Sequence, residues 1–167
     1  MHTSKWIRVR PLTVADFPFV RRLSAKQNGF TVPPPYVLWL LKRTNPQSCM
    51  VVEHVKSGPV AYLLSILVSE PREKVLYVWQ LAASKQGMRT GAIDVALLAL
   101  RTFVRRVGAR KILFTVNPES PKFRAIRRYA YSLSAAGVRR GQFLPGSVSR
   151  HEREYVIKVN RSHARKT

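Results

Sequence analysis

Acid is what this chain is short of. Eight Asp and Glu stand against thirty Lys and Arg in 167 residues, a formal net charge of +22. An excess of that size suggests a polyanionic partner, whether nucleic acid, an acidic protein face or another anionic surface, and a surface kept basic for solubility accounts for it equally well. Cysteine is scarcer still. Cys49 is the only one, which excludes an internal disulfide and a cysteine-rich metal site and fits a reducing compartment. It lies in a β-rich run, Ser48 to Val52, and reads as a small buried hydrophobe. The four histidines, His2, His54, His151 and His163, lack metal-ligand spacing, so no metal site is expected. No apolar run approaches the length of a membrane span, and residues 1–6 lack the apolar core of a signal peptide. The expectation is a soluble cytoplasmic protein with no membrane partner. Repeats and low-complexity segments are absent too. What is present is a hydrophobic fraction of 46% with three Trp, six Tyr and seven Phe, enough to fold as one domain over residues 1–160, followed by a basic tail at 161–167.

The chain is organised around Ser84-Lys85-Gln86-Gly87-Met88-Arg89-Thr90-Gly91-Ala92. Before it, Val75 to Ala83 is an apolar run rich in strand formers. After it, Ile93, Ala96, Leu97, Leu100, Val104 and Val107 fall at helical spacing, and Arg105, Arg106 and Gly108 supply a stop. The pattern is strand, tight loop, helix. A basic, glycine-containing loop that opens a helix suits a pyrophosphate, because the first-turn N–H groups have no intrahelical acceptor and the helix dipole favours an anion. The same residues also suit an ordinary strand-to-helix turn whose glycines only satisfy backbone geometry. Neither a P-loop ending nor a Gly-x-Gly-x-x-Gly pattern is present.

Along the chain, Ile7 to Arg10 alternates as a strand and Thr13-Val14-Ala15-Asp16 opens a helix with Phe17, Val20 and Leu23 on its buried side. Pro33-Pro34-Pro35 caps a second helix that is apolar nearly all round, with Trp39 expected in the core rather than in an aromatic wall with Phe30 and Tyr36. Ser48–His54 and Val60–Val68 read as a hairpin turning at Lys56-Ser57-Gly58, and Glu70 to Lys74 as a charged connection. Lys111 to Val116 is a further strand. Ser120-Pro121 opens a last helix closed by Gly137, with Phe123, Ile126, Ala130 and Leu133 inside and Lys122, Arg124, Arg127 and Arg128 outside. Phe143 and Tyr155 to Val159 supply late strands.

The loop resembles the acetyl-CoA loop of the GNAT superfamily of N-acetyltransferases, Gln/Arg-x-x-Gly-x-Gly/Ala between a strand and a long helix. Gln86, Gly87, Met88, Arg89, Thr90 and Gly91 occupy those six places, with Arg89 where the first motif glycine is usual. Tyr77-Val78-Trp79-Gln80-Leu81-Ala82 is similar to the corresponding strand of diaminobutyrate acetyltransferases. A strand ending in Arg-Pro and then Thr-x-x-Asp is also a common GNAT beginning. The resemblance implies an α+β fold, a central mixed, mostly antiparallel twisted sheet flanked by about four helices, with acetyl-CoA as co-substrate. It implies cofactor contacts from Leu81, Ala82 and Ala83, where a bulge would free backbone N–H groups, from Gln86, Gly87, Met88, Arg89, Thr90, Gly91 and Ala92, and from Ser120 in the place of a capping Asn. Arg127 stands where the Tyr that protonates the departing thiolate is usual. Tyr129 is the nearby candidate for that role, although a shift of two residues turns a side chain most of the way round a helix.

Transfer to an amine also needs a base, and the central strand has no carboxylate. Gln80 is its one polar side chain and reads either as a substrate-orienting or water-binding group or as a satisfied core amide. Glu70 and Glu73 are the nearest acids in sequence and read either as a base acting through water, Glu70 the first candidate, or as solvated loop residues, and His54 is an outsider. Two readings follow: an N-acetyltransferase acting on a small amine or an acidic macromolecular acceptor, or a catalytically weak module of this fold whose basic surface docks nucleic acid or an acidic protein. Gly91→Glu is expected to abolish CoA binding by setting a carboxylate against the pyrophosphate, with the fold largely intact.

Overall fold

The strand-forming runs pair into one mixed sheet. A computed structural model describes residues 6–27, 29–116, 124, 126–130, 138–140 and 153–159. In chain order these residues form β1 (Ile7–Pro11), a single 3-10 turn (Val14–Asp16), α1 (Phe17–Ala25), α2 (Pro35–Thr44), β2 (Met50–His54), β3 (Gly58–Ser69), β4 (Lys74–Ala83), α3 (Lys85–Arg89), α4 (Ala92–Val107), β5 (Lys111–Val116), β6 (Val138–Arg140) and β7 (Arg153–Lys158). Residues 124 and 126–130 are helical. The sheet order is β1-β2-β3-β4-β5-β7-β6. Every neighbouring pair is antiparallel except β4 with β5, which are parallel and joined through α4. This is the α+β sheet with flanking helices that the sequence resemblance implies.

Alternation along the strands divides the core between two faces. One face carries Leu63, Leu76 and Ile112 and is covered by Ile93, Ala96, Leu97, Leu100 and Val104 of α4. The other carries Val51, Tyr62, Leu64 and Ala82 and is covered by Phe17, Val20 and Leu23 of α1 and Leu38 and Leu41 of α2. Cys49 is fully buried there, its thiol pushed up to about 11 by burial, the setting of a packing residue. α4 stops at Gly108, whose φ of +69° lets the chain reverse, with the Ala109 N–H donating to the Val104 carbonyl at 3.1 Å.

Three expectations need correction or completion. α2 is apolar on two sides but buried on one: Trp39 is half exposed and carries the Arg43 guanidinium over its ring at 5.5 Å, while Tyr36 is 70% exposed. Leu38 and Leu41 are its buried residues, with Val37 packed partly buried beside them, since a single sheet face can cover only one stripe of a helix. A short strand, β6, precedes the late strands that the sequence implies. Ser120, Phe123, Leu133, Gly137, Phe143 and the basic tail lie outside the described residues.

Thr13 and Asp16 form the expected capping box, and Arg10 adds to it. Asp16 is 2% exposed. Its carboxylate accepts from the Thr13 amide (2.8 Å) and hydroxyl (2.7 Å) and takes both terminal nitrogens of Arg10 at 2.7 Å. Arg10 also donates Nε to Glu53 on β2 at 2.9 Å, so β1, β2 and the start of α1 share one network. Burial alone would raise the Asp16 carboxyl, but the bonds from Arg10 and Thr13 outweigh it and hold the group below its usual value. A depressed carboxylate contributes stability that is complete above the unfolded value of about 3.9 and is lost as pH falls through the folded value. Asp16→Asn is therefore expected to cost about 2–3 kcal/mol at pH 7. In urea denaturation the gap to the native protein holds down to about pH 5 and closes at lower pH.

Candidate active site

β4 changes partners part-way along its length. It pairs with β5 from Val75↔Lys111 to Val78↔Phe114 and no further. On its other edge Ser65 pairs with Val78 and Leu64 with Gln80, so Trp79 is an extra residue, a bulge that bends the strand. β5 continues through Thr115 and Val116, paired only with β7. The two parallel strands thus part, and beyond Val78 the β5 side of β4 has no strand partner among the described residues. The local insertion in register thus coincides with a gap edged by backbone N–H and C=O groups.

At the end of β4 the chain turns tightly. Ser84 caps α3, its hydroxyl accepting from the Gly87 N–H at 3.1 Å, while its own N–H donates to the Val60 carbonyl at 2.8 Å. α3 lies so close to β3 that a Cβ on Gly87 would stand 2.4 Å from the Val60 carbonyl oxygen. Gly87 is a close-approach glycine. Gly91, at φ +72°, reverses the chain into α4 and offers no side chain to cap it. Beside this turn a groove of about 640 Å³ runs between α1 and the loop, lined in part by Arg22 of α1, by Lys26 just after it and by Lys85 and Arg89 of the loop, with no carboxylate in its lining among the described residues. Arg22, Lys26, Lys85 and Arg89 thus line one groove beside the turn, and the sixteen-residue α4 starts from Gly91 at the turn's exit.

Neither a protein-family model nor a curated protein sequence matches the chain. Solved structures do. They include diaminobutyrate acetyltransferase EctA from Paenibacillus lautus in complex with L-2,4-diaminobutyric acid and coenzyme A, at 23% identity over 92% of this chain and 95% of that one with a TM-score of 0.72. Ard1 from Thermoplasma volcanium matches at 18% identity over 92% and 98%, TM-score 0.73. Chaetomium thermophilum Naa20 in complex with a bisubstrate analogue matches at 14% identity over 95% and 92%, TM-score 0.70. This is the GNAT fold.

The sequence-derived GNAT candidates divide within it. Leu81, Ala82 and Ala83 follow the bulge, which sits two residues before Leu81 rather than at the strand's end. Gln86, Gly87, Met88, Arg89, Thr90 and Gly91 form α3 and its exit, and Ala92 is buried at the first position of α4. Gln86 spends its side-chain amide on the Ser57 hydroxyl at 2.7 Å, and Thr90 bonds back to the Gln86 carbonyl at 3.0 Å, so the loop is tied to the β2–β3 turn and to itself. His54 ends β2 at that turn, its Nδ1 accepting from the Lys56 N–H at 3.3 Å. Ser120 lies outside the described residues.

Gln80 is 4% exposed. Its carbonyl accepts from the Tyr62 hydroxyl at 3.0 Å and its amide donates to the Thr31 carbonyl at 2.7 Å. Of its two readings the core amide describes these bonds: it clips the chain before α2 onto β4 next to the bulge. Glu70 is not brought to the gap. It sits in the β3–β4 turn, where its N–H donates to the Glu73 carbonyl at 2.9 Å, and β4 then runs from Lys74 through Val78 before the strands part, about 15 Å of extended chain. Glu73 is held by Lys111. Tyr129 packs in the α4-side core at 7% exposure; burial pushes its phenol well up, with Arg101 and Arg105 opposing, and it is absent from the groove lining.

Gly91→Glu is not the clean probe that the sequence suggests, because any non-glycine side chain at φ +72° strains the turn. Gly87→Ala must push α3 off β3 and is expected to cost about 2 kcal/mol. Gly91→Asn, a residue that tolerates the left-handed region, is expected to cost less than about 1 kcal/mol. Parallel chemical denaturation checks the ranking, and equal costs would contradict the packing described for Gly87.

Proposed function

We propose that the protein transfers an acetyl group from acetyl-CoA to a primary amine by direct attack in a ternary complex. The observation that carries this reading is the coincidence of the Trp79 bulge with the parting of β4 and β5, immediately before the cationic glycine turn. Arg22, Lys26, Lys85 and Arg89 suit the phosphates, and so does the start of α4. Arg89 brings a fixed cation where a glycine is usual, so the site gains charge as it loses backbone freedom. Acetyl-CoA supplies an activated thioester carbonyl. The unpaired β4 amides after the bulge suit its oxygen, a contribution that asks nothing of a side chain. Among the described residues the Gln80 clip and the wall of α1 border the acceptor side, which faces away from α4.

Support from the neighbours is at the level of chemistry. The EctA structure holds a small diamino acid and coenzyme A, and the NatC complex holds a Gag peptide and CoA. A small amine and a peptide are therefore the two acceptor classes to screen.

Calorimetric titration of the purified chain, freed of nucleic acid, with acetyl-CoA and with CoA tests the reading. One-to-one binding that survives moderate salt is expected, since bonds to several phosphates in a shaped groove are screened less than a diffuse surface field. The double variant Arg22→Glu, Lys26→Glu is expected to bind at least about tenfold more weakly, the equivalent of about 1.4 kcal/mol. Binding that salt erases would instead favour a docking module of this fold for nucleic acid or an acidic protein.

A further inference from the structure

The missing base has a candidate that no sequence neighbour of the loop suggests. Of the six described carboxylates, Asp16, Glu53, Glu73 and Asp94 are held in ion pairs, by Arg10, by Arg8 and Arg10, by Lys111 and by Arg128 respectively. Glu70 is at the far turn. The remaining one is Glu154, on β7.

Register places it. Glu154 pairs with Thr115, the residue of β5 that follows Phe114, the last partner of β4. Its side of β7 is also settled. Phe114 and Tyr155 stack at 5.7 Å on the α4 side, and Ile112 and Ile157 are buried with them. Leu113, Val156 and Glu154 share the opposite face, where they line a groove of about 450 Å³. That face is the α1–α2 side, because Leu113 pairs with Tyr77 and Tyr77 with Ile66, which packs beneath those helices. Glu154 is partly buried. Two strand spacings, about 10 Å, separate β7 from β4 where the β4–β5 pairing ends at Val78, and a glutamate side chain with bridging water reaches toward the gap that opens there.

We propose that Glu154 receives the acceptor's amine at the open end of the β4–β5 gap and takes its proton through water. The proposal rests on the acetyl-transfer reading. An amine arrives as an ammonium, repelled by a chain of net charge +22, and a carboxylate that no cation among the described residues pairs with opposes that field locally. The other charged groups on this groove are Glu70, Lys111 and Lys158, four residues along the strands from the Glu154 position or in the turn beyond, with Lys111 engaged by Glu73. In the transfer the nitrogen–carbon bond forms as the carbon–sulfur bond breaks. The sulfur keeps the electron pair of the broken bond, one ammonium proton passes to Glu154 and on to solvent, and the second goes to the sulfur. The acceptor is thus a primary amine that is charged in solution.

Glu154→Gln tests the assignment, with n-butylamine at high concentration as the probe. Two measurements are made on both proteins: NMR shifts of the Leu113, Thr115 and Val156 amides during amine titration of the CoA-loaded chain, and amine-dependent release of CoA thiol from acetyl-CoA across pH. The variant is expected to keep its CoA affinity, to lose the amine-induced shifts, and to fall by about a hundredfold in kcat at pH 7. That deficit shrinks as pH rises and the free amine supplies itself, and Glu154→Asp restores part of the rate. A loss independent of pH, a variant equal to the native chain, or a CoA-binding native chain that releases no thiol with amine overturns the role of Glu154. Failure of the native chain to bind CoA at all is a different result and strikes the acetyl-transfer reading itself.

Discussion

One extra residue in one strand decides the functional half of this molecule. Without Trp79 as a bulge, β4 would keep its alternation, and nothing in the apolar run from Val75 to Ala83 would stop it pairing with β5 to the end. With it, Trp79 and Gln80 both turn to the α1–α2 side, where Gln80 finds Tyr62 and Thr31. The strands part, and a row of backbone groups is left without a ladder partner. An unpaired buried amide is costly, so a native sheet that keeps such groups keeps them for a ligand or for water. The glycine turn depends on the same strand: Ser84 and Gly87 dock on the Val60 carbonyl, which fixes α3 and hence the start of α4 at the mouth of the gap.

Charge is the second constraint. The described acids are spent mostly on holding the fold together: Asp16 and Glu53 bind β1, β2 and the first helix through Arg10, and Glu73 ties the β3–β4 turn to β5 through Lys111. The cations are in surplus and collect beside the glycine turn. The result is a field suited to a phosphorylated co-substrate and hostile to a free amine, softened at one point on β7. This tension argues for an acceptor whose amine is its only positive charge or whose remainder is acidic.

Much of the fold was legible in the sequence because its signals are local. The Thr13–Asp16 box, the triple proline before α2, the Lys56-Ser57-Gly58 turn and the Arg105-Arg106-Gly108 stop each act within a few residues, and the structure has them all. The site was legible only along β4 and its loop. The bulge leaves no trace in an unbroken apolar run. Trp39 follows the helical pattern of a core residue and is exposed because α2 meets the sheet along one stripe. Glu70 is close to β4 in sequence, yet a hairpin turns it to the far end; Glu154 is remote in sequence, yet β7 inserted beside β5 sets it opposite Thr115, one residue past the last β4–β5 pair. Distances set by strand order are not written in any window of the chain.

Amide hydrogen exchange over β4, with and without CoA, tests the central claim most directly. In the free protein the amides of residues 79–83 that β3 does not engage should exchange much faster than those of Val75 to Val78, which lie in a complete ladder. Saturating CoA should slow them together with the Gly87 to Ala92 turn. Protection in the free protein equal to that of Val75 to Val78, or no change in residues 79–83 under saturating CoA, would contradict a gap built to receive the thioester.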